Sequence, residues 1–146
     1  MDITVKKIGE TEKEYIEIGC HKKDERIDEI VRFIRSREGI LKGTKEDRQY
    51  SIALPDILYI EAVDRKTFVY TNSENYESEL KLYEIEQELI ERDFLRISKN
   101  SIVNLRKIKS LKTDINRKIR ITLQNGEQIV VSRMYSDELR RKLGLR

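Results

Sequence analysis

A mainly β (α+β) fold of short antiparallel strands in small sheets with few helices, preceded by a small ββα N-terminal appendage, is what this sequence predicts. Three observations carry that expectation. From residue 49 to residue 132 the chain carries a train of three- to six-residue strand-like segments, most of them alternating and separated by connections of hairpin length. Helical spacing of apolar residues occurs in only three places, near residues 24–37, 80–91 and 133–143. Asn125-Gly126, between two such alternating segments, is the strongest short hairpin signal in the chain.

Taken in order, residues 2–8 (DITVKKI) and 14–20 (EYIEIGC) read as two strands around the polar stretch Gly9 to Lys13. The period then changes. Ile27, Ile30, Val31 and Ile34 fall at i, i+3, i+4 and i+7, the apolar stripe of a helix over 24–37 that Gly39 can stop. Residues 39–48 (GILKGTKEDR) are polar and contain glycine, so they read as a linker, with an appendage at 1–43 and the main domain at 44–146. In that domain strands are expected at 49–54, 57–62, 67–71 and 76–78, turned by Pro55-Asp56, Asp64-Arg65-Lys66 and 72–75. A helix over 80–91 directs Leu82, Ile85 and Leu89 inward, with Tyr83 and Ile90 as further candidates. Strands at 94–97 and 102–104 bracket Ser98-Lys99-Asn100, and another lies at 108–113. Strands 119–123 and 128–132 are joined by Gln124-Asn125-Gly126-Glu127, where a type I′ turn is expected. Ser132 can cap a last helix over 133–143, with Met134, Leu139 and Leu143 facing inward and Gly144 as the stop.

Charge divides the chain unevenly. Residues 94–146 carry fourteen Lys and Arg against four Asp and Glu, a net +10, while residues 1–93 carry −7. A basic module behind an acidic one points to a polyanionic partner. Enzymatic function is not expected: the carboxylates sit in charge-rich helical stretches such as EIEQELIERD, and no glycine-rich phosphate loop or supported nucleophile is present. One His and one Cys cannot assemble a zinc cluster, so no metal or other cofactor is expected. No apolar run nears the roughly 18 residues of a membrane span. MDITVKKIGE lacks the apolar block of a signal peptide, and the lone Cys20 suits a reducing compartment, so a cytoplasmic protein without membrane insertion is expected.

Three clusters mix a cation with a short polar side chain at the tip of a connection or the start of a helix. They are Arg65, Lys66 and Thr67; Ser98, Lys99 and Asn100; and Arg133 after Ser132. Singly, each is what a solvated turn looks like. Together they offer cations for phosphate or guanine and hydroxyl or amide groups that fix register. Arg133 also lies where helix N–H groups favour an anion. Arg96, Arg106, Lys107, Lys109, Arg117, Lys118 and Arg120 could follow a phosphate backbone, although alternation puts some of them on the opposite face.

Three blocks, IALPDILYIEA at 52–62, FLRISKNSIVNLRKI at 94–108 and VVSRMYSDELRRKLG at 130–144, resemble the LytTR family of bacterial DNA-binding domains over residues 49–144. The middle block is the most specific. That resemblance implies a regulator that inserts connecting loops, not a recognition helix, into successive major grooves of double-stranded DNA. By matching motif it assigns the first reading loop to Arg65, Lys66 and Thr67, the second to Lys99 with Ser98 and Asn100, and the third to Arg133. Where the family often has His, this chain has Ser98, and Val63-Asp64-Arg65 replaces a small-residue turn, so base preference does not transfer. The family domain commonly follows a phospho-accepting receiver; the preceding residues here are too few for one and carry no acidic phosphorylation pocket. The expected partners are double-stranded DNA, a second copy of the chain at least on DNA, and a regulatory protein. The helical stripe could mediate self-association or bind that regulator, or simply pack on its own hairpin or the β domain. The competing readings are a basic β surface that docks an acidic protein, and an RNA-binding module, for which no aromatic stacking platform is visible.

Overall fold

Ile57-Leu58-Tyr59-Ile60 is a run of four apolar residues with no alternation, and such a run needs cover on both faces. In the computed structural model, which describes residues 1–37 and 39–145, it opens the strand at the heart of the molecule. The chain divides into two compact units, Met1–Phe33 and Ile34–Arg146, and helix α1 (Glu25–Ser36) runs from the first into the second.

Among the described residues the larger unit holds ten strands. They are β1 (Ile40–Lys45), β2 (Arg48–Ala53), β3 (Ile57–Val63), β4 (Lys66–Thr71), β5 (Asn75–Ser78), β6 (Phe94–Ser98), β7 (Ser101–Asn104), β8 (Ile108–Thr113), β9 (Ile119–Leu123) and β10 (Gln128–Val131). Two helices accompany them, α2 (Leu82–Glu88) and α3 (Arg133–Lys142). A seven-stranded sheet has the order β2-β1-β5-β4-β3-β7-β6, and a three-stranded sheet the order β10-β9-β8. Every pairing is antiparallel.

The large sheet carries a core on each face. Ile57, Ile60, Val69 and Ile102 pack with Leu82 and Ile85 of α2, and with Leu89 just after it, on one side. On the other, Leu58, Tyr59, Leu95, Ile97 and Val103 pack with Ile119, Ile121, Leu123, Val131 and Leu139 of the small sheet and α3. A bulge between Ile57 and Tyr59 is what lets Leu58 and Tyr59 enter the same core although they are adjacent in sequence. Tyr59 stacks on Tyr70 with ring centroids 4.4 Å apart and donates its hydroxyl hydrogen to Glu127 Oε2 at 2.9 Å, tying the β9–β10 connection to the central strand. Burial and then the Glu127 carboxylate raise the Tyr59 pKa well above that of an ordinary phenol.

The structure departs from the sequence expectations at identifiable points. Residues 2–8 and 14–20 do not form strands, so the appendage contains a turn and α1 but no β hairpin. Asp24 caps α1, its Oδ1 accepting from the N–H of Ile27 at 3.3 Å. The expected linker at 39–48 is strand β1, the turn after it and the start of β2. Gly43 is a strand residue there because Tyr76 and Ile52 crowd it: a Cβ would stand 2.6 Å from the Tyr76 Cβ. Helix α2 is shorter than expected, and Tyr83 and Ile90 point to solvent. Met134 is also exposed, while Leu139 is fully buried and Leu143 packs at the edge of the second core.

The β9–β10 connection is not a type I′ turn. Gly126 has φ +92°, but Asn125 is not among the positive-φ residues, and Gly126 N donates to Leu123 O at 2.9 Å while Leu123 N donates to Glu127 O at 2.8 Å. A β-turn over 123–126 followed by a left-handed glycine has the character of a hairpin with a G1 bulge. Asn125 Oδ1 takes the Glu127 N–H at 3.1 Å and favours that form.

Candidate nucleic-acid interface

The β3–β4 connection is as tight as a hairpin can be. Val63 pairs with Lys66, leaving Asp64 and Arg65 as the only turn residues, and both have positive φ (51° and 68°). That is the type I′ geometry whose twist matches the flanking strands, here without glycine. Arg65 and Lys66 are exposed at its tip. Thr67 lies below them, only 6% exposed, paired with Ala62 on one side and Ser78 on the other.

The β6–β7 connection is held from within by Arg96. Its Nε donates to Ser98 O at 2.8 Å and its Nη2 to Lys99 O at 2.5 Å, while Nη1 meets Glu86 Oε1 of α2 at 3.1 Å. Ser98 Oγ accepts the Asn100 N–H at 3.1 Å. These bonds pin the backbone and leave Lys99 and Asn100 exposed, with Ser98 half-buried. Arg96, read from sequence as a cation for phosphate, is therefore a brace: its side chain is only 17% exposed and its three donor nitrogens are engaged. Arg106 is similarly engaged with Asp93 (2.6 Å), and Arg120 stands 3.6 Å from Asp114.

The third element is the start of α3. Ser132 occupies the N-cap position with extended φ and ψ, but its side chain does not cap; its own N–H donates to Ile97 O at 2.9 Å. Arg133, the first helical residue, is exposed. Beside it an open groove of about 790 Å³ is lined by residues that include Asn116, Arg117, Arg133, Ser136, Asp137 and Arg140. Arg140, two turns into the helix, donates from Nη2 to Thr113 Oγ1 at 2.5 Å. The 114–118 connection, where Arg117 adopts φ +63°, brings the β8–β9 turn alongside it.

Two backbone hydrogen bonds bring the three connections to one end of the unit. Ala62 N donates to Asn100 O at 2.8 Å, joining the end of β3 to the β6–β7 turn. The Ser132–Ile97 bond joins the start of α3 to the last residues of β6. Arg65, Lys66, Ser98, Lys99, Asn100 and Arg133, separated by up to 68 positions in sequence, thus sit on neighbouring connections.

Asn104 shows what a motif residue can do without reaching the surface. It is 2% exposed; its Nδ2 donates to Ile57 O at 2.8 Å and its Oδ1 accepts the Arg106 N–H at 3.1 Å. It thereby fastens the start of β3 to the turn that follows β7.

Comparison with known proteins bears on the family and the fold. The family model for the LytTr DNA-binding domain matches residues 47–144. A solved LytTr DNA-binding domain from Bacillus cereus superposes with a TM-score of 0.69 at 27% identity, covering 73% of this chain and 97% of that one. The sensory transduction protein LytT of Enterococcus faecalis is 32% identical over 100 residues, which are 68% of this chain and 41% of that protein. A Staphylococcus aureus (strain NCTC 8325 / PS 47) protein described as an uncharacterized HTH-type transcriptional regulator is 27% identical over 139 residues, 94% of this chain and 93% of the relative. The chain thus spans less than half of the first relative and nearly all of the second. With the family model covering all but the first strand of the large unit, and with the antiparallel two-sheet architecture matching, this chain belongs to the LytTR family and carries its DNA-binding domain.

Proposed function

We propose that the protein is a bacterial transcription regulator that binds double-stranded DNA as a homodimer in the cytoplasm. It inserts the β3–β4 turn, the β6–β7 turn and the start of α3 into successive major grooves. Arg65, Lys66, Lys99, Asn100 and Arg133 are the groove-facing set, Ser98 orders its turn, and Thr67 supports Arg65 and Lys66 from beneath. The observation that carries the reading is the pair of backbone bonds from Ala62 to Asn100 and from Ser132 to Ile97, which gathers three basic connections at one end. A planar Arg fork suits guanine O6 and N7, and an Asn amide suits adenine, whereas cations alone would read only phosphate.

The test is selection of duplexes from a random pool at two salt concentrations. A short motif repeated near one helical turn of about 10 base pairs is expected, and the orientation of the repeats reports the symmetry of the dimer. Recovery of random sequences whose binding collapses with salt would leave only phosphate attraction and overturn the reading. Arg133→Ala should then cost about 1–3 kcal/mol on the best site and relax preference at one position; unchanged affinity and preference would remove Arg133 from the set. Stronger capture of single-stranded RNA than of duplex would favour an RNA-binding module instead.

A further inference from the structure

We propose that residues 2–8 and 14–20 are pairing arms, each forming an antiparallel strand with the complementary arm of a second copy of this chain. The inference deepens the homodimer of the preceding reading and is tested without DNA, so that either can fail alone.

Both arms have strand chemistry and, among the described residues, no strand partner. Their large apolar side chains lie open to solvent: Ile3 is 91% exposed, Val5 92%, Tyr15 67% and Ile16 71%. Neither arm forms a ladder within the chain, although a turn joins them, with Glu12 N donating to Gly9 O at 3.1 Å.

The turn itself explains why the ladder is missing. Two of the two-residue hairpins that do close, at Glu46-Asp47 (φ 50° and 64°) and Asp64-Arg65 (φ 51° and 68°), have positive φ at both central positions, while Lys99-Asn100 closes between Ser98 and Ser101 without it, its backbone held by Arg96 and by Ser98 Oγ. Glu10 and Thr11 are not among the positive-φ residues. Without the primed geometry, and with no side-chain hydrogen bond holding its backbone among the described residues, the turn from Gly9 to Glu12 twists against its flanking strands and splays them.

The arms nonetheless match each other side chain by side chain. In the register that opposes Gly9 and Glu12, Lys7 faces Glu14, Val5 faces Ile16 and Ile3 faces Ile18. An ammonium meets a carboxylate, and β-branched residues meet across the pair, as stable antiparallel pairs require. This complementarity is unused inside one chain. Two copies related by a two-fold axis satisfy it twice, residues 2–8 of each lying on 14–20 of the other, and exchange of an identical element is a low-cost route to a dimer. The same pairing covers open strand backbone that would otherwise template aggregation.

The experiment uses the full chain with Cys20→Ser, since Cys20 is exposed and free. Thr4→Cys is prepared in one sample and Glu17→Cys in another, because the register opposes these positions with Cβ atoms about 4.5–5.5 Å apart, close enough for a disulfide after small adjustment. Mixing and mild oxidation should yield a cross-linked species of twice 17.4 kDa, far in excess of either sample alone. The unmodified protein should sediment as a dimer at micromolar concentration. Val5→Lys with Ile16→Lys should raise the dimer dissociation constant at least tenfold while leaving the thermal transition of the β unit in place. A mixture that does not cross-link, a Thr4→Cys/Glu17→Cys chain that closes on itself as a monomer, or an unmodified protein that stays monomeric at high micromolar concentration would each overturn the inference. A dimer that selects no duplex motif would leave it standing and remove the DNA reading.

Discussion

Replacing Arg96 by Met separates a brace from a phosphate contact. The substitution keeps an unbranched stem of similar bulk but deletes the bonds to Ser98 O, Lys99 O and Glu86 Oε1. Bonds from a charged donor contribute about 1.5–3 kcal/mol each when shielded. The bond at Lys99 is exposed and the Glu86 carboxylate is 40% exposed, so those two count for little, and the net loss of stability is about 2 kcal/mol. The turn carrying Lys99 and Asn100 then samples other conformations, and specific affinity should fall about tenfold to a hundredfold. Salt dependence distinguishes the two roles. A residue that neutralises a phosphate carries about 0.9 of the slope of log K against log salt. A brace carries none. Fluorescence anisotropy on the selected duplex, repeated over a salt series, should therefore show weaker binding with an unchanged slope, and hydrogen exchange should show faster amides at residues 98–101. Arg96→Lys should recover little, because one ammonium cannot reproduce the fork. A slope reduced by about 0.9 with unaltered exchange would refute the argument and return Arg96 to the phosphate-contacting set.

Three further outcomes follow from the core and the turns. Asn104→Leu leaves two backbone groups near Ile57 and Arg106 without their partner and should lower stability by about 2–3 kcal/mol in urea unfolding, with base preference unchanged in a repeated selection. Gly43→Ala drives a methyl into Tyr76 and Ile52 and should cost about 1–3 kcal/mol, read as a lowered denaturation midpoint. Tyr59→Phe should cost about 1 kcal/mol at neutral pH by removing the bond to Glu127. The folded-state pKa of Tyr59 is raised, so its contribution is complete below the unfolded phenol value of about 10 and declines above it. Denaturation followed from pH 8 to 11 should accordingly show a shallower alkaline loss in Tyr59→Phe than in the unmodified chain.

Wherever the causes of structure are local, residues near in sequence were enough to determine it. Most of the strands from β2 to β10 follow from period-two patterning and short polar connections, β3 from a short apolar run bounded by turn residues, and α3 from the spacing of Leu139 and Leu143 with a glycine after them. The three basic clusters were visible as residue types at the tips of those connections. Tertiary structure decided what depends on the neighbour across a gap. Gly43 looked like part of a linker because nothing nearby in sequence shows that the Tyr76 ring lies over it. Met134 and Tyr83 fit helical stripes, but each helix has one covered face narrower than the apolar set it carries, and Ile90 lies beyond the end of α2. Residues 2–8 and 14–20 have strand composition, yet a strand is a relation between two segments, and the turn joining them does not supply the twist to make it. Arg96 and Arg133 are the same residue type in the same basic half. Only the fold determines that one guanidinium is enclosed by carbonyl oxygens and the other is open to solvent, because burial and hydrogen bonding are properties of the surroundings and not of the residue.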